Sequence, residues 1–421
     1  MPAPQKYIVG REAEMGILRE FVQRDGGEFI LNIYGPGGIG KTEVCSKITK
    51  YCRDQNWVFM FIEIDAPNLT FDRILYNLKK TLLLNKSTTG KSEKFFGEFE
   101  SRFSEYLTVK EIIEREGGIS ALFDVLGNII PDVFAKAIAS LGKSVADETR
   151  LRFRNRYALQ EYISGAEQWL TESLVDGLCQ VRSSLDKPML IVFDTYEKAS
   201  HLDEWVCNKL VRMLPDGIRL VICGRDRLQD MGFHWIEYAQ HISSYELPEL
   251  DRESVFDFYQ HFGLTSPNLL EATYDFTGGY PLCMTLAVDL AHTSGWNQIA
   301  GFRKQVDRYE VARHLLDRLL EQEKVAEVKE FLEKGVVTLW FDVEAIAYLL
   351  QVPTEKAEDI FHRISKFSFT TKTEFGLKFH DKVRDILLER LRYMDQKLYG
   401  ELLNRWREYY RMKVTEEWLE I

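Results

Sequence analysis

Residues 35–42, Gly-Pro-Gly-Gly-Ile-Gly-Lys-Thr, concentrate the chemistry of this chain. They follow the apolar run 29–33 and fit the spacing G-x-x-x-x-G-K-[ST], with strand character before and helix character after. Gly35, Gly37, Gly38 and Gly40, with Pro36 and Ile39 between them, let the backbone wrap close to an anion. Its N–H groups and the start of the following helix then face a phosphate. Lys41 brings a point charge to the β- and γ-phosphates, and the Thr42 hydroxyl is placed to ligate Mg²⁺. The loop therefore implies bound nucleotide, ATP or ADP.

Hydrolysis needs an acid at the tip of a neighbouring strand. The run 189–193, Met-Leu-Ile-Val-Phe, supplies the strand and Asp194 the acid, which would hold Mg²⁺ through water. Three residues on, Glu197 is a carboxylate able to polarise a water lined up with the γ-phosphate; its structural alternative is an exposed acid at a helix start. Arg225 closes the run 218–225, and an arginine at the carboxyl end of a parallel strand points into the crevice where ligands bind. There it would sense the γ-phosphate, unless it forms a surface salt bridge with Asp226 or Asp230. A small-molecule kinase is disfavoured, because no acceptor site is recognisable.

These residues need a sheet to position them. Strand character recurs at 57–65, 188–194, 218–225 and 241–247, and the first of these is apolar enough for burial on both faces. Strands alternating with helices predict a parallel sheet covered on both sides. Residues 12–23 read as a helix with Met15, Leu18, Phe21 and Val22 on one face, and the helix after the loop carries Val44, Ile48 and Tyr51 inward. Residues 70–165 read as a helical insertion whose soft centre, 117–143, is either a membrane-active amphipathic segment or two short packed helices; Asp124, Pro131 and Asp132 favour the second. Beyond Asp251 the pattern is helical. Between 341 and 391 it runs helix, turn at Val352-Pro353, helix and an alternating stretch at 367–380, a winged-helix order. The expected division is a nucleotide-binding domain at 1–250, a helical lid at 251–312, a winged helix at 313–393 and a helical segment at 394–421.

Composition narrows the function. The chain has 421 residues, 45% apolar and 28% charged, with a net charge of -11, which disfavours broad phosphate-driven nucleic-acid binding. Its six cysteines are scattered without a CxxC pair and read as reduced core thiols. There is no apolar leader and no run of spanning length, so the expectation is a cytoplasmic protein that does not enter membranes.

Several motifs then agree in order: "VGRE" at 9–12, the phosphate loop, "LIVFDTYE", "LVICGR", "GGYPL" and "KFHDKVRD". Together they resemble the STAND-class ATPases, switch P-loop NTPases that include NB-ARC and NACHT proteins and MalT-like regulators. The resemblance spans residues 7–393 and implies an AAA+-like α/β fold with helical insertion, lid and winged helix. It implies that Val9, Gly10 and Arg11 lie along adenine and ribose, that Pro281 packs on adenine, and that His380 reaches the β-phosphate of ADP. Phe379 stands where methionine is commoner in that family. Thr195 follows Asp194 where many members have a second acid, which puts the hydrolytic step in question while leaving binding untouched.

On this resemblance the chain is an ATP/ADP-switched signalling ATPase: a closed monomer with ADP, an open, self-associating form with ATP, and slow hydrolysis. A sensor or effector partner is implied. Moving a 99:1 equilibrium to 1:99 needs about 5.5 kcal/mol of differential binding, more than the single contact of His380 supplies. The alternative is a DNA-binding ATPase of the Orc/Cdc6 initiator type that uses its winged helix. Against it, residues 354–364 carry three acids and two bases, and the wing, with Lys372, Glu374 and Lys378, is only mildly basic. A third reading is a scaffold that binds nucleotide and never cycles.

Overall fold

The computed structural model describes residues 9–23, 27–64, 69–84, 92–115, 156–185, 187–299, 307–373 and 375–419. Contacts divide the chain into two units. One comprises Met15–Gly35 and Val44–Glu246, the other Met1–Glu14, Pro36–Glu43 and Leu247–Ile421.

The first unit is built on β1 (Ile30–Tyr34), β2 (Val58–Glu63), β3 (Met189–Asp194), β4 (Ile218–Gly224) and β5 (Ile242–Glu246). The strands run parallel in the order β2-β3-β4-β1-β5. Period-two alternation sends Met189, Ile191 and Phe193 of β3 to one face, beside Ile218, Leu220 and Ile222 of β4. Covering that face are α3 (Phe71–Leu84), α4 (Gly97–Arg115) and α5 (Arg156–Leu185), which bury Leu75, Phe99, Leu170 and Leu174 in the same core. On the other face stand α1 (Glu12–Gln23) and α2 (Lys41–Asp54). Arg219 of β4 lies over the Phe21 ring of α1, and Cys223 of β4 meets Cys45 of α2. A sheet walled on both sides requires apolar residues at every position, which is why β3 reads as an unbroken run.

Each sheet strand expected from the sequence is present, with ends within one or two residues of those expected. On α2, Val44 and Ile48 are buried as expected, while Tyr51 is half-buried with its ring edge-on to Trp57. The described part of the helical insertion belongs to one wall of the sheet, since α3 supplies Ile74, Leu75 and Leu78 and α4 supplies Phe99 to its core. The soft centre at 117–143 lies outside the described residues, as does Glu374 in the wing. Among the described residues no helix is long and apolar enough to cross a membrane.

The second unit holds α6 (Arg252–His261), α7 (Pro267–Thr277) and α8 (Pro281–Ser294) in the segment expected as a lid. Asp251 caps α6 by accepting from Ser254 N–H at 2.8 Å. Pro281 opens α8 at the position where a missing N–H costs nothing. Then follow α9 (Arg308–Gln322), α10 (Ala326–Lys334), α11 (Val343–Leu350), α12 (Thr354–Ile364), the hairpin β6 (Thr370–Thr373) and β7 (Gly376–Phe379), α13 (Asp381–Met394) and α14 (Gln396–Leu419). Helix, turn, helix and antiparallel hairpin form the expected winged module, centred on the rings of Phe331, Phe341 and Phe379. Helix α14 is joined to the same module: Tyr410 sits edge-on to Trp340 at 5.1 Å, and the Tyr409 ring lies 5.2 Å from that of Tyr348 on α11.

One buried carboxyl ties lid to winged module. Asp289 of α8 is 3% exposed, and its Oδ2 accepts both the Ser368 N–H at 2.9 Å and the Ser368 hydroxyl at 2.6 Å. Burial pushes the carboxyl up to about 7, against the pull of the two Ser368 donors. A raised folded-state value means that the group's contribution is fully present below the ordinary aspartate range and is lost as pH rises through about 7. Asparagine keeps an oxygen acceptor for Ser368 and carries no charge. The melting temperature of the native chain should therefore fall relative to that of Asp289→Asn between pH 5 and pH 8 on these grounds, and a difference that stays level across this range would contradict the assignment.

Candidate functional site

The phosphate loop leaves β1 at Tyr34, and the Gly35 N–H donates to Gly224 O of β4 at 3.3 Å. Gly38 and Gly40 have φ of 94° and 99°, with Ile39 of ordinary hand between them. Backbone of alternating hand gathers N–H groups into a concave anion nest. A Cβ at position 38 would stand 2.9 Å from the Leu282 Cβ, so both hand and space require glycine there.

The carbonyls of the loop are held by other donors. Lys41 Nζ donates to Pro36 O at 3.0 Å, and Lys41 is 8% exposed. The Tyr280 hydroxyl donates to Gly37 O, Leu282 N–H to Gly38 O at 3.2 Å, and an Arg11 guanidinium N–H to Ile39 O at 2.7 Å. Arg11 is 6% exposed, and its other amino group donates to Glu14 Oε1 at 3.0 Å and Pro248 O at 2.7 Å. The ring of Pro281 lies 3.6 Å from where a Gly40 Cβ would stand. Gly10, with φ of 64°, abuts Leu250 and Ser254 at the start of the lid, and Val9 is half-buried. Thr42 is exposed on the first turn of α2. Thus Arg11, Pro36–Lys41 and Pro281, widely spaced in sequence, come together around one loop. His380 caps α13: its Nδ1 accepts from Lys382 N–H at 3.3 Å and its own N–H donates to Phe369 O at 2.7 Å.

In the sheet unit, Asp194 ends β3 at 1% exposure and accepts from Thr195 N–H at 2.9 Å. Thr195 has φ of 61° and ψ of 40°, a left-handed conformation that a β-branched residue rarely adopts. That bend starts the turn that carries Glu197. Arg225 Nε donates to Glu197 Oε1 at 3.0 Å, so these two residues form a pair. Among the described residues Glu197 Oε2 is buried and has no hydrogen-bond partner. One oxygen of Glu197 is thus anchored by Arg225, and the other is enclosed 3.7 Å from where a Gly224 Cβ would stand. Cys45 of α2 and Cys223 of β4 are hydrogen-bonded at 3.1 Å. That bond, then burial, then the nearby Asp194 charge hold the Cys45 thiol well above its ordinary range, so both sulfurs act as core atoms.

Sequence reasoning missed three of these features. The Arg11–Glu14 pair was legible as an i, i+3 pair at a helix start. Tyr280 sat beside the chosen Pro281, but nothing in its spacing shows where a hydroxyl points. The Arg225–Glu197 pair joins residues whose proximity follows only from the order of strands.

A family model described as AAA ATPase domain matches residues 7–223. Among curated proteins none matches the chain. Two solved structures align along nearly all of it at low similarity. The Orc1 protein of Aeropyrum pernix in complex with DNA is 14% identical, with 91% of this chain and 93% of that one covered and a TM-score of 0.33. A DNA replication initiation factor is 9% identical, with 96% and 97% covered and a TM-score of 0.28.

Gly38→Ala places a methyl group in a left-handed backbone against Leu282. It should cost about 1–3 kcal/mol of stability, read as a lowered midpoint in urea. An unchanged midpoint would mean that the loop is not held as described.

Proposed function

The chain belongs to the AAA ATPase domain family, and from that premise we propose that it binds ATP at residues 35–42 and hydrolyses it to ADP and phosphate. The observation that carries the proposal is the loop itself, whose left-handed glycines and outward-held carbonyls suit a polyphosphate. Lys41 binds the β- and γ-phosphates. Glu197, held at Oε1 by Arg225, takes the proton of the attacking water. Mg²⁺, assigned on sequence grounds to Thr42 and Asp194, supplies offsetting charge for the phosphates when bound. In this reading Lys41→Ala loses nucleotide, whereas Glu197→Gln keeps it and loses most turnover. Equal turnover in Glu197→Gln and the native chain, measured as phosphate release, would remove Glu197 from the reaction.

The finer proposal is a switch: ADP favours a closed monomer and ATP an open, self-associating form, with His380 and Pro281 contacting nucleotide. What supports it is the lid segment, which is hydrogen-bonded to the phosphate loop through Tyr280 and Leu282. The second reading, an initiator-type ATPase that docks its winged helix on DNA, is supported by the presence of that module, and the AAA family match fits it at least as well as the signalling class. Sedimentation with ADP, then ATP, and a DNA titration at two salt concentrations separate the two. The switch requires a mass increase with ATP. Constant mass, together with DNA affinity that falls steeply with salt, would replace it by the initiator reading.

A further inference from the structure

Peptide planarity links the two sides of the phosphate loop. In a trans peptide the C=O of one residue and the N–H of the next point in opposite directions. Fixing Gly37 O, Gly38 O and Ile39 O therefore turns the N–H groups of Gly38 and Gly40 the opposite way, while the Ile39 N–H donates to Pro36 O at 3.4 Å within the loop. The donors that hold these carbonyls come from outside the loop, and two of the three come from the start of α8.

We propose that Tyr280 is a positioning residue for polyphosphate: its hydroxyl, on the lid, pins Gly37 O so that the Gly38 N–H faces the phosphates. The inference rests on the nucleotide-binding reading and assigns the Tyr280 hydroxyl its part in it. Tyr280 is 6% exposed, and its ring lies 3.2 Å from where a Gly38 Cβ would stand, so the ring packs on the loop whether or not it carries a hydroxyl. Leu282 N–H, two residues on, holds the adjacent carbonyl, and the pair makes the start of α8 part of the loop's scaffold. A polyphosphate is thereby recognised through the lid, with no lid side chain needed against the phosphates themselves.

Tyr280→Phe removes the hydroxyl alone and keeps the ring. Displacement of a fluorescent ADP analogue by ADP and by AMP, on the full chain, reads the effect. ADP affinity should fall about 3- to 10-fold, the worth of one hydrogen bond, while AMP affinity changes less than twofold. The melting temperature of the variant without nucleotide should match that of the native chain. Equal weakening of ADP and AMP would place Tyr280 against the nucleoside and overturn the proposal, and so would no change in either. A lowered melting temperature accompanied by equal losses would mark a structural role and would also overturn it. If the native chain binds neither nucleotide, the ATPase reading itself fails and this inference fails with it; binding by the native chain with an indifferent Phe variant sinks the inference alone.

Discussion

The carbonyls of a phosphate-binding loop are the wrong sign for the anion it serves. Every peptide that offers an N–H to phosphate also carries an oxygen that phosphate repels, and that oxygen must be given a donor elsewhere. In this chain the donors are an arginine from the N-terminal segment, a tyrosine hydroxyl and a backbone N–H from the lid, and the loop's own lysine. Much else follows from this requirement. Arg11 must be buried and satisfied, which calls for Glu14 and Pro248 O. Gly38 must lack a side chain, because Leu282 stands where one would go.

The sheet unit was legible in the sequence because burial on both faces leaves no room for ambiguity. β3 and β4 are apolar runs that end in Asp194 and beside Arg225, and the boundaries read from those runs hold to within one or two residues. The winged module was equally legible, since helix, turn and hairpin each carry their own periodicity. Pairings across long separations were not. Arg225 and Glu197 lie 28 residues apart, and the strand order that brings them together is a property of the whole sheet. For Arg225 the sequence offered Asp226 and Asp230 as ion-pair partners, and the structure supplies Glu197.

The second unit has a polar join in an apolar setting. α8 is buried almost all round, and a charged residue on such a helix is costly unless it is paired. Asp289 meets that demand with a single serine from the winged module. The lid and the winged module are joined there by two hydrogen bonds to one oxygen, in addition to apolar packing, so this join depends on direction as well as on contact area. The same α8 begins with the segment that holds the phosphate loop and carries Asp289 in its third turn.

Thr195 has a consequence for anyone who alters this protein. A β-branched residue in a left-handed bend carries about 1–3 kcal/mol of strain. Glycine or asparagine would relax it, so a search guided by heat resistance alone is drawn to this position. The relaxed chain would gain freedom at the bend that leads from Asp194 to Glu197, and the carboxylate would lose its aim. With Glu197 in its proposed role, durability and turnover are in opposition at that one residue, and a more rugged form of the protein is best sought elsewhere in the chain.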